Sequence, residues 1–407
     1  MSRIKIFNDP VHGFIEVPKN FILPLIDHPY LQRLKRIRQL GLSAAVYPGA
    51  NHTRFSHALG AMHLTQLALK VLLEKGTSIS EEEYLATLAA ILLHDIGHAP
   101  FSHALENVLI PNIHHEAMSL WLMQKLNQEL DGALELAIQI FKGTYPRAFF
   151  HQLISSQLDM DRMDFLMRDS FFTGVQEGIV GTDRIIKTLT VFQDKLVVEE
   201  KGIYSIEKFL VARRLMYWHV YLHKTALVAE CLLIQILKRA RYLFQKGKLS
   251  WCNENIAFFL DLSDTKEIDA NKLLEYFVRL DDIEILYAIK QWQFSSDKVL
   301  QELTQRIWQR KLLKLTFIEQ SSLSQILAEK KERFQKITGY TEEEADYFVF
   351  GQSVSNSAYL KQSQEPILIL QKNGNLTDII AASDLSNIDA LSEQVVKYFI
   401  CAPDFVQ

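Results

Sequence analysis

The sequence predicts a mainly α-helical chain with small β-hairpins and a mixed α/β C-terminal region. Three observations carry that expectation. Between Ile22 and Leu40 apolar residues recur at helical spacing, as Leu25, Ile26, Leu31, Leu34, Ile37 and Leu40. Ser80 stands before Glu81-Glu82-Glu83 and an apolar-rich run, which is a helix N-terminus signature. Strand-like alternation is confined to short stretches, with Asn373-Gly374 as a turn signal. Residues 1–250 are expected to form the helical core, with its chemistry at about 50–170, and residues 251–407 a mixed part packed on it.

Taken in order, residues 1–20 read as turns and short extended pieces, punctuated by Asn8-Asp9-Pro10, Gly13 and Pro18. Pro29 divides the run from Ile22 to Leu40 into two helices. Gly41 and the segment YPGANHT form a loop, and helices follow over 54–75, 81–95, 115–130, 131–142, 149–157 and 159–169. Residues 194–206 read as a hairpin turning at Lys201-Gly202. One long helix is expected from Ile206 to Gln245. Residues 253–345 read as mostly helical, with a strand near Leu312–Ile318, and 365–382 as a second hairpin.

Composition sets the outer limits. The chain has 407 residues, 48% apolar and 11% aromatic, so it can fill a large core and is no disordered chain. A net charge of −4 excludes a broadly basic nucleic-acid coat and still allows a local basic pocket. Cys231, Cys252 and Cys401 are too widely spaced for a disulfide framework or a CxxC site. The start MSRIKIFNDP carries no apolar signal core, and the longest apolar stretch is near Leu88–Leu93. That is far short of the ~20 residues that span a bilayer. The expectation is a soluble, cytoplasmic protein with no membrane partner.

One count is uneven. Of 13 histidines, eight lie between His52 and His115. His94 and Asp95 are adjacent at a predicted helix end, where one ion off the edge of the helix can meet both. Gly97 lets the backbone turn, and His98 follows four residues after His94. His57 and Asp161, from other helices, could complete a two-His, two-Asp set. Such a set suits a borderline first-row ion better than Ca²⁺. His52, His63 and His114 have no comparable support and read as loop or surface residues. Asp161, Phe165 and Asp169 fall at i, i+4 and i+8 and share one helix face. Asp164 and Arg168 read as a plain helix ion pair. The stretch KRARYLFQKGK (238–248) is a basic patch that reads as the solvated end of a helix.

Together these segments resemble the HD superfamily of metal-dependent phosphohydrolases, and within it the deoxynucleoside triphosphate triphosphohydrolases. The matching stretches are FNDPVHGFIEVP (7–18), IDHPYLQRLKRIRQLG (26–41), YPGANHTRFSHALG (47–60), LLHDIGHAPFSHALE (92–106), HHEAMS (114–119), LDMDRMDFLMRD (158–169) and YLHK (221–224). The resemblance implies a divalent metal on His57, His94, Asp95 and Asp161, with Mn, Fe, Mg, Zn and Ni not distinguishable. It implies catalytic histidines at His98, His103 and His115, with Glu106 orienting His103 as a general acid. It implies a dNTP substrate held by Gln39 and Asp169 at the sugar 3′-hydroxyl and by Phe165 as a wall against a 2′-hydroxyl. Arg54, Arg162 and Arg213 would contact phosphates, and Tyr217 and Tyr221 lie along the same stripe. It also implies a nucleotide activator at Asn8, Asp27, Gln32 and Lys35, and a homo-oligomer.

Departures from the family pattern bear on specificity. Lys35 stands where the family has an arginine, and lysine lacks the two-pronged contact. Leu222 stands where a base-contacting glutamine occurs, which leaves base preference open. Two rival readings share the motifs: an HD enzyme for a monophosphate or cyclic dinucleotide, and a catalytically silent nucleotide- or nucleic-acid-binding protein.

Overall fold

An antiparallel hairpin opens the chain, β1 (Ile4–Asp9) paired with β2 (Gly13–Pro18). Asp9 closes its turn by accepting hydrogen bonds from the amides of Val11 and His12, both at 2.9 Å. This computed structural model describes residues 4–101, 104–262, 269–360, 365–385 and 388–406. Helices α1 (Ile22–Asp27) and α2 (Pro29–Arg33) follow. Pro29 sits at the first position of α2, where its missing N–H costs nothing. The second helix ends well before Leu40, because the chain turns extended and Arg38 bridges to Thr53.

The bundle is built on α3 (Arg54–Glu74) and α4 (Glu81–Leu93), the latter opened by a Ser80/Glu83 capping box. Around them lie α5 (Glu106–Leu109), α6 (His115–Glu129), α7 (Glu135–Phe141), α8 (Ala148–Ile154), α9 (Met160–Thr173) and α10 (Thr182–Thr188). Asp159 caps α9 at its start and left-handed Gly174 ends it. Gly60 lets α3 and α9 close together, since a Cβ there would lie 1.9 Å from Asp164 Oδ1.

Two expectations need correcting here. The first hairpin is β3 (Leu189–Phe192) with β4 (Lys195–Glu199), turning at Gln193-Asp194 rather than at Lys201-Gly202. Both turn residues have positive φ, +51° and +56°, which matches the twist of a two-residue hairpin without any glycine. Gly202 serves close packing instead: a Cβ on it would lie 2.6 Å from Thr188 and Val198. The long helix is two helices, α11 (Ile203–Met216) and α12 (Lys224–Gln245), bent by 56°. A π-helical turn over Tyr217–Tyr221 separates them, and the His223 side chain caps α12.

Beyond these come α13 (Glu254–Asp261), α14 (Ala270–Phe277), α15 (Asp282–Trp292) and α16 (Lys298–Trp308). After β5 (Lys314–Ile318) the chain adds α17 (Leu323–Thr338), α18 (Glu342–Ala345) and β6 (Phe350–Asn356). The end holds β7 (Leu368–Leu370), β8 (Leu376–Asp378), α19 (Ile379–Ala382) and β9 (Val395–Ala402). One sheet runs β5-β9-β6. The other runs β3-β4-β7-β8, with β4 and β7 parallel at Val198↔Ile369. The C-terminal hairpin therefore extends a sheet begun in the helical part, and one hydrophobic core runs from Ile15 to Val406. Among the described residues no single helix is long and apolar enough to cross a membrane.

Candidate metal centre

Three elements aim four side chains at one point. His57 comes from the first turns of α3, His94 and Asp95 from the turn that ends α4, and Asp161 from the start of α9. Ligand atoms of His57, His94 and Asp161 all lie within 4.8 Å of one another. Asp161 Oδ1 is 3.0 Å from His57 Nε2 and 3.5 Å from His94 Nε2. Asp95 adjoins both rings, 3.3 Å from His94 Nε2 and 3.7 Å from His57 Nε2, and it also pairs with Arg54. The four expected ligands are thus brought together.

The ring nitrogens show that this set fits a metal. His57 Nδ1 donates to Asp164 Oδ2 at 2.8 Å, and His94 Nδ1 donates to the Ile91 carbonyl at 2.6 Å. Each ring therefore presents an unprotonated Nε2 toward the carboxylates. Both Nε2 atoms are buried and lack a hydrogen-bond partner. Electrostatics agree. Burial pushes His57 down, but Asp161 and Asp164 outweigh it and lift it to about 10. Burial likewise pushes Asp161 up, and His57 and His94 hold it well below the usual carboxylate range. The carboxylates that would otherwise hold a proton on these rings can instead be balanced by a divalent ion at the two neutral Nε2 atoms.

Two histidines stand beside this set. His98 is buried, with Nε2 3.1 Å from Asp95 Oδ1. It reaches there through a tight turn rather than along a helix face, because α4 stops at Leu93 and His98 N bonds to Asp95 O. Burial and the Arg54 charge hold His98 well below its ordinary range, so its ring is neutral. His98 stacks on His115 with centroids 4.0 Å apart. Gly97 makes that stacking feasible by close packing rather than by a special turn. A Cβ on it would lie 2.2 Å from Ser119 N and 2.3 Å from His115 O. Glu106 binds His115 at both its amide (2.7 Å) and Nδ1 (2.8 Å). His103 lies outside the described residues.

The residues expected to form a substrate stripe also lie together. Phe165 is half-buried, 6.5 Å from the His57 ring and 5.9 Å from Tyr221, which meets Tyr217 at 5.0 Å. Asp169 accepts from Tyr221 (2.8 Å) and His52 (2.7 Å). His52 is therefore a buried loop residue, stacked on Phe172, rather than a surface histidine. Gln39 is held next to it by its amide, which donates to the His52 carbonyl. Arg162 pairs with Asp159, and Arg213 lies buried near Arg162 and Tyr217. The candidate activator residues are more dispersed in their bonding. Asn8 and Asp27 are exposed, Gln32 donates to the Ile26 carbonyl, and Lys35 lies over the Phe55 ring at 4.5 Å.

Asp164 and Arg168 form the expected i,i+4 ion pair, and more than that. Both are fully buried, in a network that runs His12–Asp164–His57 and Asp9–Arg168–Asp164. The FNDPVH segment therefore reaches the metal ligand His57 through one carboxylate. The presence of Asp9 and His12 in a matching stretch was the available signal. In the basic stretch, Arg239 pairs with Asp297 and Arg241 donates to the carbonyls of Leu109 and Phe259, so neither is a free surface charge.

A helical bundle with this His/Asp centre defines a metal-site hydrolase, and comparisons with known proteins specify its kind. The HD domain model matches residues 54–139, and the HD associated region matches 180–250. The uncharacterized protein YwfO of Bacillus subtilis is 31% identical over 396 residues, covering 93% of this chain and 88% of YwfO. A SAMHD1 homolog from Dictyostelium discoideum, a deoxynucleoside triphosphate triphosphohydrolase, is 30% identical over 290 residues. That match covers 66% of this chain and 55% of the homolog, so the chain spans about half of that relative. The crystal structure of a phosphohydrolase from Bacteroides thetaiotaomicron superposes with a TM-score of 0.92 at 47% identity, covering 98% of this chain and 99% of that one. The chain belongs to the HD-domain family. It is an HD phosphohydrolase related to the dNTP triphosphohydrolases, with a divalent-metal site.

Proposed function

We propose that the chain hydrolyses deoxynucleoside triphosphates to deoxynucleoside and inorganic triphosphate. Arg213 carries the reading. Its guanidinium is buried, and Nε and Nη1 have no hydrogen-bond partner. Burial, and then the neighbouring Arg162 charge, push it below its ordinary range. Arg213 hydrogen-bonds Tyr217, but two of its nitrogens stay unsatisfied beside a second cation, which is costly unless an anion joins them. Guanidinium forks match phosphate oxygens, and two of them next to a metal set suit a polyphosphate better than a monophosphate. The activity named for the SAMHD1 homolog supports the same substrate.

When bound, a divalent ion supplies Lewis-acid chemistry, strengthening water as a nucleophile and offsetting phosphoryl charge. Water attacks the α-phosphorus, the bond to the sugar 5′-oxygen breaks, and triphosphate keeps the new oxygen. His115, oriented through Nδ1 by Glu106, delivers a proton from Nε2 to the departing 5′-oxygen. His98 stands at the phosphate, a role the family resemblance also gives to His103. Asp169, fixed by His52 and Tyr221, accepts the sugar 3′-hydroxyl together with Gln39. Phe165 fills the space a 2′-hydroxyl needs. A homo-oligomer and an activating nucleotide near Asn8, Asp27, Gln32 and Lys35 belong to the proposal on the strength of the family resemblance.

The test compares dNTPs, NTPs, dNMPs and cyclic dinucleotides with wild type, Arg213→Gln and Phe165→Ala. Wild type should turn over dNTPs, Arg213→Gln should lose that turnover, and Phe165→Ala should admit NTPs. Cleavage of dNMPs or cyclic dinucleotides with dNTPs left intact would overturn the reading.

A further inference from the structure

We infer that Asp282 is a positioning residue for the active site, so that the region after residue 250 is part of the site's construction. The side chain is 3% exposed and reaches two distant segments at once. Oδ1 accepts from the Phe101 amide and Oδ2 from the Arg38 amide, both at 2.9 Å. Phe101 lies three residues after His98, and Arg38 directly precedes Gln39. One carboxylate therefore ties the loop of the phosphate-side histidine to the segment of the sugar-side glutamine.

The backbone shows why a tie is needed. Phe101 is left-handed, with φ +56°, a conformation that is unfavourable for a bulky side chain and persists only when its surroundings impose it. Gly41, also left-handed, packs on it so closely that a Cβ there would lie 3.3 Å from the Phe101 carbonyl. A second tie crosses the same boundary. The buried Arg33 guanidinium donates to the carbonyls of Leu280 (2.7 Å), Ile96 (3.2 Å) and His98 (2.9 Å) and lies over the Phe277 ring. Leu280 and His98 thus share one cation. Phe277 itself lines the recess that holds His98, His115 and Glu106. Asp281 caps α15 by accepting from the Ile283 and Glu284 amides and pairs with Arg36, which fixes Asp282 at the helix start.

This rests on the proposed place of His98 beside the phosphate. The experiment uses the full chain with Asp282→Ala and Asp282→Asn. Amide hydrogen exchange should quicken at Arg38 and at Phe101 in Asp282→Ala and stay unchanged in the β3–β4 hairpin. Mn²⁺ affinity, measured by calorimetry on the metal-free protein, should be retained, since no ligand is touched. The turnover number should fall about 10- to 100-fold with KM little changed, the scale expected when a reacting group is displaced by about 1 Å. Asp282→Asn keeps one acceptor and should fall between wild type and Asp282→Ala, which covers an alanine variant that does not fold. Unchanged exchange at Phe101 and Arg38, or quickened exchange with wild-type turnover, would overturn the inference. Wild type inert on dNTPs would instead sink the substrate reading, with turnover then read on bis(p-nitrophenyl) phosphate.

Discussion

Replacing Asp164 by asparagine should weaken both the fold and the metal site. The carboxylate is fully buried and accepts four hydrogen bonds. Oδ1 takes His12 Nε2 at 2.6 Å and Arg168 Nη2 at 2.9 Å, while Oδ2 takes His57 Nδ1 at 2.8 Å and Arg168 Nε at 2.9 Å. An amide placed either way loses one oxygen that accepts two bonds and turns its own N–H groups against those two donors. Arg168 then keeps one bond to the amide oxygen, and Asp9, at 2.8 and 3.3 Å, as its carboxylate partner. Removing one partner of a buried ion pair costs about 3–5 kcal/mol, and the surviving Asp9 contact favours the lower end. Because the carboxylate also fixes the tautomer and tilt of His57, metal affinity should fall about 10- to 100-fold. Urea unfolding of the metal-free protein reads the first effect, and calorimetric Mn²⁺ titration at a temperature where the variant is folded reads the second. Wild-type Mn²⁺ affinity in folded Asp164→Asn would refute the reasoning.

Two further outcomes follow from other parts of the structure. Gly97→Ala drives a Cβ into backbone atoms of α6, 2.2 Å from Ser119 N. Thermal unfolding should show a loss of about 1–3 kcal/mol, as for overpacking, together with lost turnover as His98 leaves His115; a variant with native stability and activity would contradict the packing role. Glu230 is half-buried, and its desolvation alone raises its pKa from 4.5 to about 7. The folded state thus holds this proton more tightly than the unfolded one, so its contribution to stability is complete below pH 4.5 and disappears as pH rises through about 7. Glu230→Gln should be more stable than wild type at pH 8 by on the order of 2 kcal/mol, and no more stable at pH 4, in paired denaturation curves.

Local signals were the legible ones. Ser80 caps α4 through bonds to residues three positions away, and such chemistry is visible in sequence. The candidate ligands His57, His94, Asp95 and Asp161 were legible because few residue types bind metals and their stretches match a known family. The hairpin turn was misplaced because Gln193-Asp194 adopts positive φ without a glycine, while Gly202 makes room for Thr188 and Val198 rather than a turn. The bend between α11 and α12 was hidden because a π turn leaves the apolar pattern nearly unbroken. Spacing gives the face of a residue but not what covers it, so the helix pair Asp164–Arg168 was legible and its burial was not. His52 and Asp282 act through contacts to residues far away in sequence, Asp169 for the one, Arg38 and Phe101 for the other. Nothing near them in the chain announces those partners.

The site's central chemistry is most directly read by running dNTP hydrolysis in heavy-oxygen water and locating the label by mass spectrometry. The expected result is one labelled oxygen in inorganic triphosphate and none in the deoxynucleoside, with both products lost in His94→Ala and Asp95→Ala. Labelled orthophosphate or pyrophosphate, label in the deoxynucleoside, or full turnover in either variant would contradict attack at the α-phosphorus by a metal-dependent site.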